Sequence, residues 1–244
     1  MIAEPPVRGL DLNYDLGTMS VSADSEFAMN LWMLITKHGI RKVIETGTYL
    51  GTGTTAVIAS ALDDLIENKV VAVEDVTFIT IEAKKEHADI AEDNLRKSGF
   101  DAFTTVLRGL SIPEDLLPTP QAIKEWTVDA VKDLPIVADH HESDRVYRYY
   151  SETANVQHDD QLGFALGKMN YRPDFVLLDS AGHVGLAEWE YLTDNLKGPC
   201  FIALDDVFHI KHYRSFQRMT EDSRYDIRYL SREKYGACIA HYCP

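Results

Sequence analysis

The sequence predicts an α/β fold: a doubly wound, mostly parallel, Rossmann-like sheet with a C-terminal antiparallel hairpin and an insertion between strands three and four. Three observations predict it. Short apolar runs of strand length alternate with amphipathic runs of helix length, the pattern of a parallel sheet covered on both faces. The first strand runs directly into a glycine-punctuated turn, Glu45-Thr-Gly-Thr-Tyr-Leu-Gly-Thr-Gly53, and then a helix start. The last two strand-like runs, Tyr225–Leu230 and Gly236–Tyr242, are separated by a short charged turn, which suggests an antiparallel pair.

Taken in order, residues 1–22 read as irregular, with Pro5-Pro6 near the start. Asp24-Ser25 resembles a helix cap ahead of the amphipathic run Glu26–His38, which Gly39 ends. Val43–Thr46 is the first strand and Thr54–Leu65 the helix behind the glycine loop. Val70–Val73 is expected to add a strand or hairpin, but Phe78–Glu82 is the better core strand. Lys84–Ser98 is the next helix, closed by Gly99, and Thr104–Arg108 the third strand.

The pattern then loosens over residues 112–172. A helix is read near Gln121–Lys132, a polar, tyrosine-rich stretch over Asp139–Asp160, and a helix over Asp160–Lys168. Roughly 60 residues is too long for a plain crossover, so this stretch is an insertion or cap within a single domain spanning 1–244. Order returns with the strand Asp174–Asp179, a helix over Leu186–Leu196, the strand Cys200–Asp205 and a helix over His209–Thr220.

Composition narrows the partners. A formal charge of −15 argues against nucleic acid, because phosphate contacts need clustered Lys and Arg, and the Lys211–Arg218 stretch is modest. Cys200, Cys238 and Cys243 have no CxxC spacing, so neither a disulfide framework nor a zinc motif is expected. No signal peptide is read at the start, and no apolar run reaches the roughly 18–20 residues of a membrane span. The expectation is a soluble cytoplasmic protein with a small-molecule partner; a homo-oligomer is compatible with the sequence.

In an open α/β sheet, ligands bind beyond the carboxyl ends of the strands. Here those ends carry Glu45–Gly53, Glu82, Gly109-Leu110-Ser111, Asp179–His183, and Asp205, Asp206 and His209. Glycines 47, 51 and 53 let backbone turn sharply and approach a ligand. The helix start behind them offers N–H groups to a polar or anionic group. Glu82 can accept both hydroxyls of a ribose. Asp179, Asp205 and Asp206 gather carboxylates on one rim, and a hard divalent cation with oxygen ligands would resolve their repulsion. His212 lies three residues beyond His209, a spacing that shares a helix face. The run Ala138–Asp144 has no regular ligand spacing and reads as a solvated loop.

The loop departs from the G-x-G-x-x-G dinucleotide turn and has no Gly-Lys-Ser/Thr, so it is not a P-loop. With its acid two positions before the first glycine, it resembles the first motif of class I S-adenosylmethionine-dependent methyltransferases. The acid ending strand two and the final hairpin resemble that family as well. The resemblance covers roughly residues 24–111 and 173–242 and leaves out the insertion. It implies that Glu45, with Thr46, sits near the amino-acid end of S-adenosylmethionine, that Gly47 and Gly51 allow close backbone approach, and that Gly53 belongs to the same loop. It further implies that Glu82 holds the ribose and that Gly109, Leu110 and Ser111 lie beside the adenine. Tyr49 reaches the methionine moiety or packs as a lid.

Leu178-Asp179-Ser-Ala-Gly-His183 resembles the Asp-Gly-Asp-His type motif of cation-dependent O-methyltransferases, with one extra residue before the histidine. That resemblance implies magnesium on Asp179, Asp205 and Asp206, with Asp179 also bordering the cofactor. The implied reaction is methylation of a hydroxyl on a sugar, a polyketide-like molecule or a catechol-like diol. A bound cation lowers the pKa of the acceptor hydroxyl, and a histidine takes its proton, His183 first and His209 second. Two rival classes remain at this stage: a nicotinamide-dependent oxidoreductase, and a non-catalytic or hydroxylase-like member of the same fold with the insertion as an interface.

Overall fold

The computed structural model describes residues 21–22, 24–133, 142–181 and 183–244. The irregular start and most of the Ala138–Asp144 run lie outside these residues. In chain order the elements are α1 (Glu26–His38), β1 (Lys42–Thr46), α2 (Thr54–Glu67), β2 (Thr77–Glu82), α3 (Lys85–Lys97) and β3 (Thr104–Arg108). The insertion supplies α4 (Pro120–Asp133), α5 (Glu142–Thr153) and α6 (Gln161–Lys168). The chain closes with β4 (Phe175–Leu178), α7 (Gly185–Asn195), β5 (Cys200–Asp205), α8 (Tyr213–Glu221), β6 (Tyr225–Ser231) and β7 (Ala237–Tyr242).

One seven-stranded sheet runs β3-β2-β1-β4-β5-β7-β6. The strands β1 to β5 pair in parallel, and β7 enters antiparallel between β5 and β6. The expected hairpin is therefore joined to the sheet through its second strand, which leaves β6 on the edge. Reversal of strand order on either side of β1 puts the β1–β4 junction at the switch point.

Alternation along each strand splits the core in two. Val43, Phe78, Phe175 and Leu177 point to the face covered by Leu31 and Ile35 of α1, Ile58 and Leu62 of α2, and Leu95 of α3. Ile44, Ile79, Val176, Leu178 and Leu204 point to the other face, against Leu162 and Leu166 of α6, Trp189 and Leu192 of α7, and Met219 of α8. Burial on both faces is why these strands read as continuous apolar runs. α1 starts at Ser25, whose hydroxyl accepts the Ala28 N–H, and stops at Gly39 in the left-handed region, which satisfies the end of the helix.

Three expectations are corrected. Val70–Val73 is no strand: the Val70 and Val71 N–H groups both return to the Leu65 carbonyl at the end of α2, and Val73–Asp75 is a 3-10 turn. The polar stretch Asp139–Asp160 contains α5. The helix expected from His209 begins at Tyr213, because residues 206–212 turn: His209 N–H donates to the Asp206 carbonyl and Tyr213 N–H to that of His209.

Candidate active site

The first strand end is held by hydroxyls. Glu45 is fully buried, and its carboxylate accepts from Thr54 Oγ1 (2.6 Å), Thr55 Oγ1 (2.6 Å) and Thr80 Oγ1 (2.7 Å). Burial drives its pKa up to about 7 despite the three hydroxyls that oppose the shift. Glu45 thus fastens the start of α2 and strand β2 beneath the loop. Thr46 bridges the other way, donating to Glu188 Oε2 (3.1 Å) and accepting the Asp179 N–H (3.2 Å).

The glycines serve close approach, but to the chain itself. Gly47 has φ +86°, and a Cβ there would lie 2.3 Å from the Asp179 carbonyl oxygen. Gly51, at φ +72°, would meet Ala91 of α3 at 3.2 Å. The loop is glycine-rich because it is pressed between β4 and α3. Gly53 caps α2 without a side-chain hydrogen bond. Tyr49 stands at φ 51°, half exposed, with its ring edge-on to His87 at 4.7 Å.

Glu82 ends β2 facing this loop. Its Oε2 accepts the Tyr49 N–H (2.7 Å) and Oε1 accepts the Lys84 N–H (2.9 Å). Each carboxylate oxygen has a second lone pair, so the group keeps acceptor capacity for a diol. At the third strand end, the Leu110 N–H donates to the His158 carbonyl (2.9 Å), and the Gln161 and Leu162 N–H groups donate to the Leu110 and Ser111 carbonyls (3.0 and 2.7 Å). The chain leaving the insertion therefore closes over Gly109, Leu110 and Ser111, and the last two are buried. Lys84 also reaches Glu152 of α5 at 3.6 Å, a second tie between insertion and rim.

Asp179, Asp205 and Asp206 do converge: one oxygen from each lies within 4.8 Å of the others. A fourth group shares their space. Lys211 Nζ sits 2.5 Å from Asp179 Oδ1 and 2.8 Å from Asp206 Oδ2, with the lysine only 7% exposed. Burial raises Asp179 although Lys211 pulls the other way, and burial with Asp179 and Asp206 nearby holds Asp205 well above the carboxylate range. For Asp206 burial is outweighed by Lys211, and it stays below that range. Lys211 itself is held well above its usual value, because the three carboxylates outweigh its burial.

Beside this cluster the His183 and His209 rings lie 5.0 Å apart, and His209 is 5.1 Å from Tyr235. Both histidines are nearly buried, and His183 (φ 62°) and Asp206 (φ 60°) adopt the left-handed region. That conformation is uncommon for residues with a Cβ and tends to collect at functional sites. His212 is separate in character. It is fully buried against Gly185, where an added Cβ would meet its ring at 2.4 Å, and burial lowers its pKa to about 3, so it stays neutral.

Two contributors, Glu188 and Lys211, escaped the sequence reading. Glu188 is fully buried; burial raises its pKa against the hydroxyls of Ser111, Ser180 and Thr46. Its signal was positional: Gly185, Glu188, Trp189 and Leu192 form the buried stripe of α7, so an acid occupied a core position. Tyr149 of α5, which the sequence suggests as cap packing or a wall of an acceptor pocket, has its pKa pushed upward by burial and by Glu188. Lys211 read only as part of a modest basic stretch, and the turn ahead of α8 brings it to Asp179 and Asp206. A cavity of about 420 Å³ lies elsewhere, at the opposite ends of the strands beside His38, Arg41, Asp174, Phe201 and His241. It collects none of the strand-end groups, so the chemistry points to the rim.

No protein-family model matches the chain, and no curated protein matches it in sequence. Solved structures do. An O-methyltransferase from Bacillus cereus in complex with S-adenosylhomocysteine is 16% identical, with 93% of this chain and 84% of that one covered, at a TM-score of 0.55. The O-methyltransferase TomG from Streptomyces achromogenes, involved in tomaymycin synthesis and in complex with S-adenosylmethionine, is 15% identical over 95% and 85%, at 0.56. The S-adenosylhomocysteine-bound methyltransferase PaMTH1 from Podospora anserina is 11% identical over 89% and 78%, at 0.51. At these identities the likeness is one of fold, and the fold of this chain is that of the S-adenosylmethionine-dependent methyltransferases.

Proposed function

We propose that the chain is an S-adenosylmethionine-dependent O-methyltransferase acting on a hydroxyl of a small molecule. The observation that carries this reading is the order of groups along one rim. Glu82 on β2 and the Gly47–Gly53 loop on β1 come first, then Asp179 on β4, then Asp205, Asp206 and His209 beyond β5. A cofactor half and an acceptor half thus lie side by side. The donor set fits the cofactor: Glu82 suits a ribose diol, and the loop and α2 start suit its polar amino-acid end. When bound, S-adenosylmethionine supplies a methyl group on a positively charged sulfur.

Under this reading the chain's own residues orient the acceptor and take up its proton. An imidazole nitrogen of His183 or His209 would take the proton of the acceptor hydroxyl, and the cofactor, when bound, would supply the methyl group and leave as S-adenosylhomocysteine. The insertion, with Tyr149 and the Lys84–Glu152 pair, shields the rim from water. A sugar, a polyketide-like molecule or a catechol-like diol fits a rim rich in carboxylates and histidines. A divalent cation such as magnesium, if it assists, would be held by Asp179, Asp205 and Asp206, whose oxygen donors suit it. The Lys211 ammonium already pairs with two of these three carboxylates.

The test is methyl transfer from labelled S-adenosylmethionine to a panel of sugars, polyketide-like phenols and catechols. Labelled product that falls at least roughly tenfold in His183→Ala or His209→Ala, while S-adenosylhomocysteine affinity holds, is the expected result. Cofactor binding without transfer to any of these acceptors would favour the non-methylating alternative.

A further inference from the structure

We infer that the Lys211 ammonium is the resident cation of the Asp179–Asp205–Asp206 cluster, standing where a divalent cation would otherwise bind. Three carboxylates within 4.8 Å repel one another and call for positive charge. In this chain the charge arrives on a tether. Lys211 Nζ forms short ion pairs with Asp179 (2.5 Å) and Asp206 (2.8 Å), and the side chain is 8% exposed. The tether is fixed by backbone: the turn from Asp206 to Tyr213 is closed by the His209 and Tyr213 N–H groups, and Asp206 itself adopts φ 60°.

Geometry sets the two cations in competition. A magnesium ion needs carboxylate oxygens at about 2.0–2.1 Å in near-octahedral array, with waters completing the shell. Two of the three carboxylates already pair with an ammonium lodged between them, so a divalent ion taking up the same carboxylates would have to compete with Lys211. Moving Lys211 out would leave a buried charge to find solvent. A metal in water competes against a group covalently held at the site, which acts as a cation of very high effective concentration. The acidic cluster is therefore a lysine-bridged network that ties the β4 end to the β5 end. Resting on the proposed function, one consequence is that methyl transfer persists in the presence of a chelator.

The experiment is manganese binding to the full chain, followed by the loss of the free-ion electron paramagnetic resonance signal and by calorimetry. It compares wild type, Lys211→Met, and Lys211→Met combined with Asp205→Asn. Wild type should show no saturable site up to roughly 1 mM, while Lys211→Met gains about one site per chain, at least tenfold tighter, that Asp205→Asn removes. A wild-type site tighter than about 0.1 mM that Asp205→Asn alone abolishes would overturn the inference, and this holds even if Lys211→Met fails to fold. A folded Lys211→Met chain that gains no site would also overturn it. S-adenosylhomocysteine titration of the same wild-type sample separates the two readings: its failure removes the methyltransferase proposal and leaves the metal result standing.

Discussion

Glu45 carries its charge in a place that suits a neutral acid. Its pKa of about 7 lies above the ordinary carboxylate value of 4.5, so the folded state holds its proton more tightly than the unfolded chain does. Its contribution to stability is therefore fully present below about pH 4.5 and is lost as pH rises towards 7, on the order of 3 kcal/mol across that window. Denaturant unfolding at a series of pH values should show this fall, and Glu45→Gln should flatten it; an unchanged slope would put the carboxyl in contact with water. Glu82→Ala should weaken S-adenosylhomocysteine binding by about 1.5–3 kcal/mol, roughly 10- to 150-fold by calorimetry. Gly47→Ala should cost at least about 2 kcal/mol in unfolding free energy, because its Cβ would strike the Asp179 carbonyl and its φ is positive. At this scale residue types were legible and partners were not. The acid before the first glycine stood out, yet its three hydroxyl partners come from positions 54, 55 and 80, which only folding brings together.

Strands and helices with strong periodicity were legible to within a residue or two, as Phe78–Glu82 against Thr77–Glu82 illustrates. Misreadings fell where backbone hydrogen bonds overrode pattern. Val70–Val73 has strand-forming side chains, but its N–H groups are consumed by the end of α2. Likewise the polar, tyrosine-rich run gave no apolar stripe to mark α5, in which Tyr147 and Arg148 are exposed and Tyr149 is half-buried. The insertion is fastened to β3 through Gly109, where a Cβ would meet the His158 carbonyl at 2.4 Å. Gly109→Ala should therefore loosen this closure: amides of Gln161 and Leu162, which donate to Leu110 and Ser111, should exchange at least roughly tenfold faster, while those of β1 and β4 keep their protection. Equal loosening throughout the sheet would mean that the contact serves global stability alone.

Across the whole molecule, sheet order does what no single motif does. With β2 on one side of β1 and β4 and β5 on the other, Glu82 and a cluster of acids and histidines end up on adjoining parts of one rim. The alternation of elements made a doubly wound parallel sheet with a terminal hairpin legible, and the order of its strands came with the structure. The direction in which Lys211 and Glu188 point was not legible, because it depends on a turn and on the rotation of a helix about its axis. Among the described residues no helix is long and apolar enough to cross a membrane. The most direct test of the account is calorimetric titration of the chain with S-adenosylhomocysteine and, separately, with NAD. The account predicts one S-adenosylhomocysteine bound per chain, weakened by Glu82→Ala, and no heat of binding with NAD. Saturable binding of NAD without S-adenosylhomocysteine would contradict it.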